Sequence, residues 1–589
     1  MYDYKEPWKK KIAGVLTKLC NKSVTPDELV AEIPPNPEMG DLGFPMFAFA
    51  KLLRMGPPRI AVAVAAELPG TTAMGPYVNV RLDRGEVVCG ILREPPEGRP
   101  AALAGKKIMV EFSSPNTNKP LHLGHLRNDV LGESISRILA ACGAELRKVC
   151  IINDRGIHIC KSMLAYKEHG EGRTPESEGI KSDHFVGDWY VRFSKDLKEE
   201  TEALEREGLD KKSAEARSPL MLRAQDLLRK WEAGEPETVE LWKKMNAWTI
   251  EGMKETYLRT GVSFDQYYFE SNTWQLGKEE VLKGLEKGIF YREEDGAVAV
   301  DLSAEKLDRK ILLRSDGTSI YITQDFGTAI SRHKDWPFDQ LVYVVGSEQQ
   351  YHFKVLFILL EKLGFYWAKN LYHLSYGMVN LPEGKMKSRE GTVVDADDLI
   401  DSLRDMAFEE IRSKEREEAV GDSRAAAEKI ALGALHYFLL QVSPSKDMLF
   451  DPKESLSFNG NTGPYLQYMG ARISSLLRKA AGQGISVSGE TGREPCYELL
   501  TGDAEWELVK TLSAYDDAVA AAAAGMDPSM VTSFLYELAK AFSRFYHDCP
   551  ILSAEKPELV TARLALCRVV LDILRDALKL VCIPFLEVM

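Results

Sequence analysis

The chain has no run of roughly 18 to 20 apolar residues, the length that a membrane-spanning helix needs, so no membrane segment is expected. It also lacks the marks of a targeting signal. The opening MYDYKEPWKKKIAGVLTKLC has no apolar core, and Asp3 and Glu6 do not suit a transit peptide; a cytoplasmic location is expected. Cysteine shows no CxxC pair, and its count of nine excludes a complete set of internal disulfides. Reduced thiols of a cytosolic protein are the expectation. Cys150, His158 and Cys160 stand close together, but no second ligand pair of the kind that completes a zinc site occurs elsewhere, so no metal is expected. Positive charge is in deficit, and the formal net charge is −13. That weighs against a nucleic-acid partner, because phosphate contacts want Lys and Arg. A local basic face can still coexist with an acidic remainder.

What is present is a soluble-type composition, 45% hydrophobic and 28% charged, over 589 residues. That length predicts roughly three to four domains. Residues 1–95 form a first unit, with helical patterning at 8–19 and around 60–68 and a strand at 77–82; REPPEGRP at 93–100 has linker composition. A second unit, 105–400, opens with an apolar strand at 107–112, a turn-rich SSPNTNKP, helical spacing over 121–139 and a strand at 147–152. Strand, helix, strand predicts a parallel, doubly wound α/β sheet. The charged, helical 161–258 reads as an insertion, after which strand patterns return at 340–346 and 371–379. From 401 to 589 apolar residues recur at helical spacing, predicting an all-α domain.

Two motifs carry chemistry. His122-Leu123-Gly124-His125 falls after a strand, at a helix start. Free N–H groups and the helix dipole favour phosphate there. Two imidazoles can donate to phosphate oxygens as charge develops, and Gly124 leaves room for a flat base. Alternatively, these are incidental histidines at a helix start. Gly384-Lys385-Met386-Lys387-Ser388-Arg389-Glu390-Gly391 lies far downstream, with glycines at both ends. Its cations can clamp a triphosphate while pyrophosphate leaves; alone, it also fits a charged surface turn.

Together the two motifs resemble the paired HIGH and KMSKS motifs of class I aminoacyl-tRNA synthetases. The stretch 110–120, VEFSSPNTNKP, together with RSDGTSIYITQD at 314–325, VGSEQ at 345–349 and NTGPYLQY at 461–468, resembles the arginyl family over nearly the full length. The resemblance implies a Rossmann-like catalytic domain, ATP with Mg2+, L-arginine and its tRNA as partners, a monomer, and an arginyl-adenylate intermediate. It implies phosphate contacts from His122, Gly124, His125, Lys385, Met386, Lys387 and Ser388. It also implies that Glu111, Tyr321 and Asp325 hold the arginine side chain, while Asn116, His122 and Gln349 contact its backbone end. Guanidinium, a planar permanent cation, wants such acceptors. Without the resemblance, Asp325 would read as a helix cap and Tyr321 as a core aromatic.

Two departures stand out. The fourth position of the loop motif is Ser388, and lysine stands third, as Lys387; Lys119, just before the first motif, is favoured as the second phosphate-binding cation. Arg155 occupies a position where many relatives have Trp. The first unit resembles the arginyl family's tRNA-elbow domain, and the last its anticodon-binding domain. There Tyr437, Tyr465, Tyr468, Phe545 and Tyr546 are candidate base-stacking residues; for these, as for Trp189 and Tyr190 in the insertion, a core role is the alternative. Two other functions stay open: a small-molecule adenylate-forming enzyme that binds no RNA, and a synthetase-like RNA-binding protein without catalysis.

Overall fold

The computed structural model describes residues 2–380, 394–413, 416, 420–485 and 495–589. Lys385, Met386, Lys387 and Ser388 lie outside these. The chain forms two compact units: Met1–Glu97 with Ile473–Asp516 and Glu537–Leu574, and Gly98–Arg472 with Asp517–Tyr536 and Arg575–Met589. Residues 401–589, expected as one domain, are thus shared between the two.

In the first unit, helix Glu6–Cys20 buries Ile12, Ala13, Val15 and Leu16, one stripe at helical spacing. A three-stranded antiparallel sheet runs in the order Leu42–Pro45, Tyr77–Val80, Thr71–Met74. Only the middle strand was legible, because the outer two, of the same length, are rich in Gly, Pro or Thr. Trp506 Nε1 donates to Asp41 Oδ1 at 2.9 Å, and Arg84 pairs with Asp503 at 2.8 Å, so the sheet and the later helical segments share one unit.

The second unit is built on five parallel strands: β1 Lys107–Glu111, β2 Glu145–Ile152, β3 Gln266–Phe269, β4 Gln340–Gly346 and β5 Leu371–Tyr376. Their order is β5-β4-β1-β2-β3. Central β1 buries Ile108, Met109 and Val110 completely, the continuous apolar run of a strand covered on both faces. This is the doubly wound α/β fold that the strand–helix–strand pattern predicts. The direction of winding reverses between β1 and β4, and a crevice opens there at the carboxyl ends of the strands. Strand β3 escaped the sequence reading: QYYF is short and lies at the sheet edge.

The helices of this unit include α1 Leu123–Ala141, α2 Ile157–His169, α3 Ser182–Arg206, α4 Pro236–Thr260, α5 Glu270–Glu286, α6 Tyr321–Asp335 and α7 Gln350–Lys362. Within the expected insertion, Tyr166, Phe185, Trp189 and Trp248 pack edge to face in a separate core. Trp189 and Tyr190 are both buried, as core residues. Helix α8, Ala396–Ser413, and helix Ser423–Leu440 follow. Most of the rest is helical, with Gly463–Gly482, Asp503–Ser513, Tyr515–Gly525, Ser529–Asp548 and Pro557–Leu580. Tyr437 and Phe545 are buried, which removes them as stacking surfaces, whereas Tyr546 is exposed. Among the described residues, no helix is long and apolar enough to cross a membrane.

Candidate active site

The chain leaves β1 through two consecutive left-handed residues, Ser113 (φ 76°) and Ser114 (φ 52°). Such conformations are costly for residues with a Cβ and persist where neighbours over-determine them. Here Ser113 N donates to Asn128 Oδ1 at 2.6 Å, its hydroxyl meets the Tyr257 hydroxyl at 2.6 Å, and Asn153 Nδ2 donates to the Ser114 carbonyl at 3.1 Å. The turn carries the chain to His122, the N-cap of α1.

The two histidines cap the helix reciprocally. Gly124 N donates to His122 Nδ1 at 3.1 Å, and His122 N donates to His125 Nδ1 at 3.1 Å. Burial, and then the charge of Lys119, lowers the His122 pKa to about 4. Burial, His122 and Lys119 together hold His125 well below its usual range. Both rings are therefore neutral. Because each Nδ1 accepts a backbone N–H, the ring proton resides on Nε2. Each His thus keeps one N–H donor free of the cap. Lys119 is half-buried beside them, its own pKa lowered by burial. The returning chain closes on the same turn: Leu123 N donates to the Val394 carbonyl at 3.2 Å and Ala396 N to the Leu121 carbonyl at 3.0 Å. Arg127, on α1, donates to the carbonyls of Gly377, Met378, Pro444 and Lys446 at 2.7–3.3 Å. Nothing in the sequence marked this buried cation, whose partners are all distant carbonyls.

At the reversal of the sheet lies a cavity of about 450 Å³. Glu111, Asn116, Tyr321, Asp325 and Gln349 all line it; His122 does not. Tyr321 and Asp325 are one turn apart on α6 and share a face. Tyr321 is 77% exposed rather than core, and Asp325 sits in the second turn of α6 rather than at its cap. The same stripe continues through Thr328 to Arg332, which the sequence reading missed although the i+7 spacing from Asp325 marks it.

Arg332 is 1% exposed and pairs with the Glu111 carboxylate, itself 5% exposed. Burial raises the Glu111 pKa, Arg332 opposes the rise, and nearby Asp325 adds to it. Arg332 also lies against the rings of Tyr268 and Tyr343, at 5.1 and 5.8 Å. Asp325 Oδ2 meets His352 Nε2 at 2.5 Å. A third carboxylate, Glu270 at the start of α5, was also missed; burial and the charges of Asp154 and Asp325 raise its pKa to about 7 against the pull of Arg155. With its amide turned to place the nitrogen toward Glu270, Gln324 bridges these groups, donating to Glu270 Oε1 at 2.7 Å and accepting from Arg155 Nη1 at 3.3 Å. Arg155, the departure noted above, pairs with Glu232 of the insertion at 2.9 Å and lies 5.6 Å from the Trp231 ring. Cys150 and Cys160 are buried, with thiol pKa values pushed up by burial, and neither belongs to a group with metal-ligand geometry among the described residues.

A doubly wound sheet with a His-x-x-His helix start beside its reversal point is the architecture of a class I synthetase. The family model "tRNA synthetases class I (R), catalytic domain" matches residues 88–451. An "Arginyl tRNA synthetase N terminal domain" matches 6–82 and a "DALR anticodon binding domain" 466–589. The chain is 58% identical to an arginine--tRNA ligase of Treponema denticola and 54% identical to one of Treponema pallidum, each alignment covering 100% of both chains. Its fold matches Thermus thermophilus arginyl-tRNA synthetase with a TM-score of 0.80 at 27% identity, again over 100% of both chains. The chain belongs to the arginyl-tRNA synthetase family.

Proposed function

We propose that this chain joins L-arginine to its tRNA in two steps and uses the groups above to do so. In the first, the arginine carboxylate attacks the α-phosphorus of ATP, and the bond to the departing pyrophosphate breaks. In the second, a hydroxyl of the terminal adenosine of the tRNA attacks the arginyl carbonyl, and AMP leaves. ATP enters as its magnesium complex, and the metal belongs to that substrate.

The observation that carries the arginine reading is the charge of the cavity. Three carboxylates, Glu111, Glu270 and Asp325, face two fixed cations, Arg155 and Arg332. With Glu270 ionised, the surplus among these five is one negative charge, matched to one guanidinium. Tyr321 and Asp325 meet its N–H fork, and Asn116 and Gln349 hold the backbone end of the substrate. A neutral or shorter side chain leaves these acceptors unanswered, which rejects it by roughly 10⁴- to 10⁵-fold without editing.

At the phosphate turn, His122 and His125 each donate one Nε2–H to the oxygens that gain charge as phosphorus is attacked. Gly124 gives the base its approach, and Lys119 adds a partly desolvated positive charge. Lys385 and its neighbours supply the second cationic element, with Lys119 favoured over Lys387 as the second phosphate-binding lysine. The enzyme works in the cytoplasm as a monomer, and arginine activation requires bound tRNA. The test is ATP-dependent attachment of labelled arginine to total tRNA, with lysine, glutamine and cysteine in parallel. Charging of arginine alone is expected. Charging of another amino acid overturns the assignment of Glu111, Tyr321 and Asp325; no charging with retained tRNA binding overturns catalysis.

A further inference from the structure

A half-buried knot of charge adjoins the phosphate turn and takes no part in the chemistry above. Asp397, in the first turn of α8, is its centre. Its Oδ2 accepts from Lys181 Nζ at 2.7 Å and Thr256 Oγ1 at 2.9 Å, and its Oδ1 accepts from Arg259 Nη1 at 3.1 Å. His184 Nε2 lies 3.5 Å from Asp395 and 3.8 Å from Asp397. Lys181 reaches Asp183 as well, at 3.1 Å. The nearby Asp397 carboxylate, opposed by burial and aided by Asp395 and Asp183, raises the His184 pKa to about 9, so His184 is a cation at neutral pH. Arg259 also pairs with Asp401 at 2.5 Å and with Glu428 at 2.7 Å, so Asp183, Asp395 and Asp397 share three cations with two further carboxylates. Asp183, His184 and Asp397 approach closely enough to hold a metal ion, but Lys181 and Arg259 already answer those carboxylates, and His184 is charged. The geometry is that of an ion-pair hub.

The hub stands where three segments meet. Lys181, Asp183 and His184 lie at the start of α3, Thr256 and Arg259 on α4, and Asp395 and Asp397 at the start of α8. Asp395 Oδ1 accepts from the Asp397 and Asp398 amides at 2.8 and 3.2 Å, which locks the α8 start into one conformation. The backbone immediately before Asp397 is the segment that pairs with the turn, Ala396 with Leu121 and Val394 with Leu123. From the other side α3 presses on the same turn. A Cβ on Gly187 would stand 2.7 Å from Pro120 Cδ, so only glycine permits this approach.

We propose that the hub positions the phosphate turn: Asp397, held by Lys181, His184 and Arg259, fixes residues 394–396 against Leu121 and Leu123 and so sets the aim of His122 and His125. Lys181, His184, Arg259 and Asp397 are positioning residues, since none belongs to the phosphate turn or the arginine cavity. The proposal rests on the reading of that turn as the ATP site.

The test is arginine-dependent exchange between pyrophosphate and ATP, with tRNA present, in the full chain and in D397N, K181M and K181R. D397N and K181M are expected to lower kcat by about 10- to 100-fold while leaving the KM for arginine within about twofold, because misaiming a reacting group costs rate rather than arginine binding. K181R, which keeps the charge, is expected to recover most of the rate. Thermal unfolding of each variant separates loss of aim from loss of fold. A D397N rate close to that of the parent chain overturns the proposal. So does a K181R no faster than K181M, or a rate loss that follows the unfolded fraction alone. If D397N does not fold, the K181M and K181R pair decides. Failure of the unaltered chain to exchange at all refutes the function instead and leaves the hub unaddressed by the fault.

Discussion

At the phosphate turn the two histidines are neutral and their geometry is set by the backbone. His122 and His125 are hydrogen-bonded to main-chain amides, and burial keeps their pKa values low. In the arginine cavity the working groups are mostly charged, and other side chains set their geometry. Glu111 is held by Arg332, Asp325 meets His352, and Glu270 is bridged through Gln324 to Arg155. The difference matches the ligands proposed for the two regions. A triphosphate brings its own charge and needs donors aimed in advance at oxygens. A guanidinium needs a net negative site, and burying bare carboxylates is prohibitive unless most of their charge is offset from within. The first region is therefore tuned by local turn chemistry, the second by long-range pairing.

Three substitutions or conditions sharpen that contrast. The largest effect is expected from R332M, which leaves the Glu111 carboxylate buried without its cation. Breaking such a pair costs roughly 3 to 5 kcal/mol, read as a lowered denaturation midpoint. The double variant R332M/E111Q is expected to recover part of that loss; if R332M alone unfolds like the parent chain, the cavity is not governed by pairing. Next, H122A removes one donor and one cap, and the adenylation step is expected to slow by roughly 10²- to 10³-fold. A single-turnover rate equal to that of the parent chain would sink the donor role. The smallest effect is a pH dependence confined to the cavity. The Glu270 carboxyl, with its pKa near 7, must lose its proton to help bind a cation. The KM for arginine is therefore expected to rise as pH falls through 7, by about tenfold between pH 8 and 6, and to flatten in E270Q. His122 and His125, already neutral, contribute no such trend in that range. An equally steep rise in KM in the E270Q variant would place the titrating group elsewhere.

The same contrast explains what the sequence disclosed. The phosphate turn was legible because its parts are contiguous: a strand, a glycine and two histidines at i and i+3, the spacing of a helix cap. The five parallel-strand elements were legible wherever they are buried on both faces, as in β1 and β4, and hidden where the strand is a short polar edge, as in β3. The three-stranded antiparallel sheet Tyr291–Arg292, Val298–Val300 and Lys310–Leu313 was missed because its strands are two to four residues long. Arg332 and Glu270 were missed for a deeper reason. Their partners lie in other parts of the chain, Glu111 being 221 residues away from Arg332, and nothing local distinguishes a buried, paired ion from a solvated one. The ion-pair hub around Asp397 is hidden in the same way.

The reciprocal cap has one more implication, for how this sequence can change over generations. The Nδ1 atoms of His122 and His125 hold the first turn of α1 together, while the Nε2–H edges of the same rings are the donors proposed for the substrate. Stability and catalysis are thus drawn from two sides of one pair of rings. A replacement that improves the cap, such as serine or aspartate, forfeits the outward donor, and one that keeps a donor without Nδ1 loosens the helix start. Neither trait can be selected separately here. A lineage adapting to heat or cold is expected to adjust the hub, the insertion core or the surface, and to leave these two positions as they are.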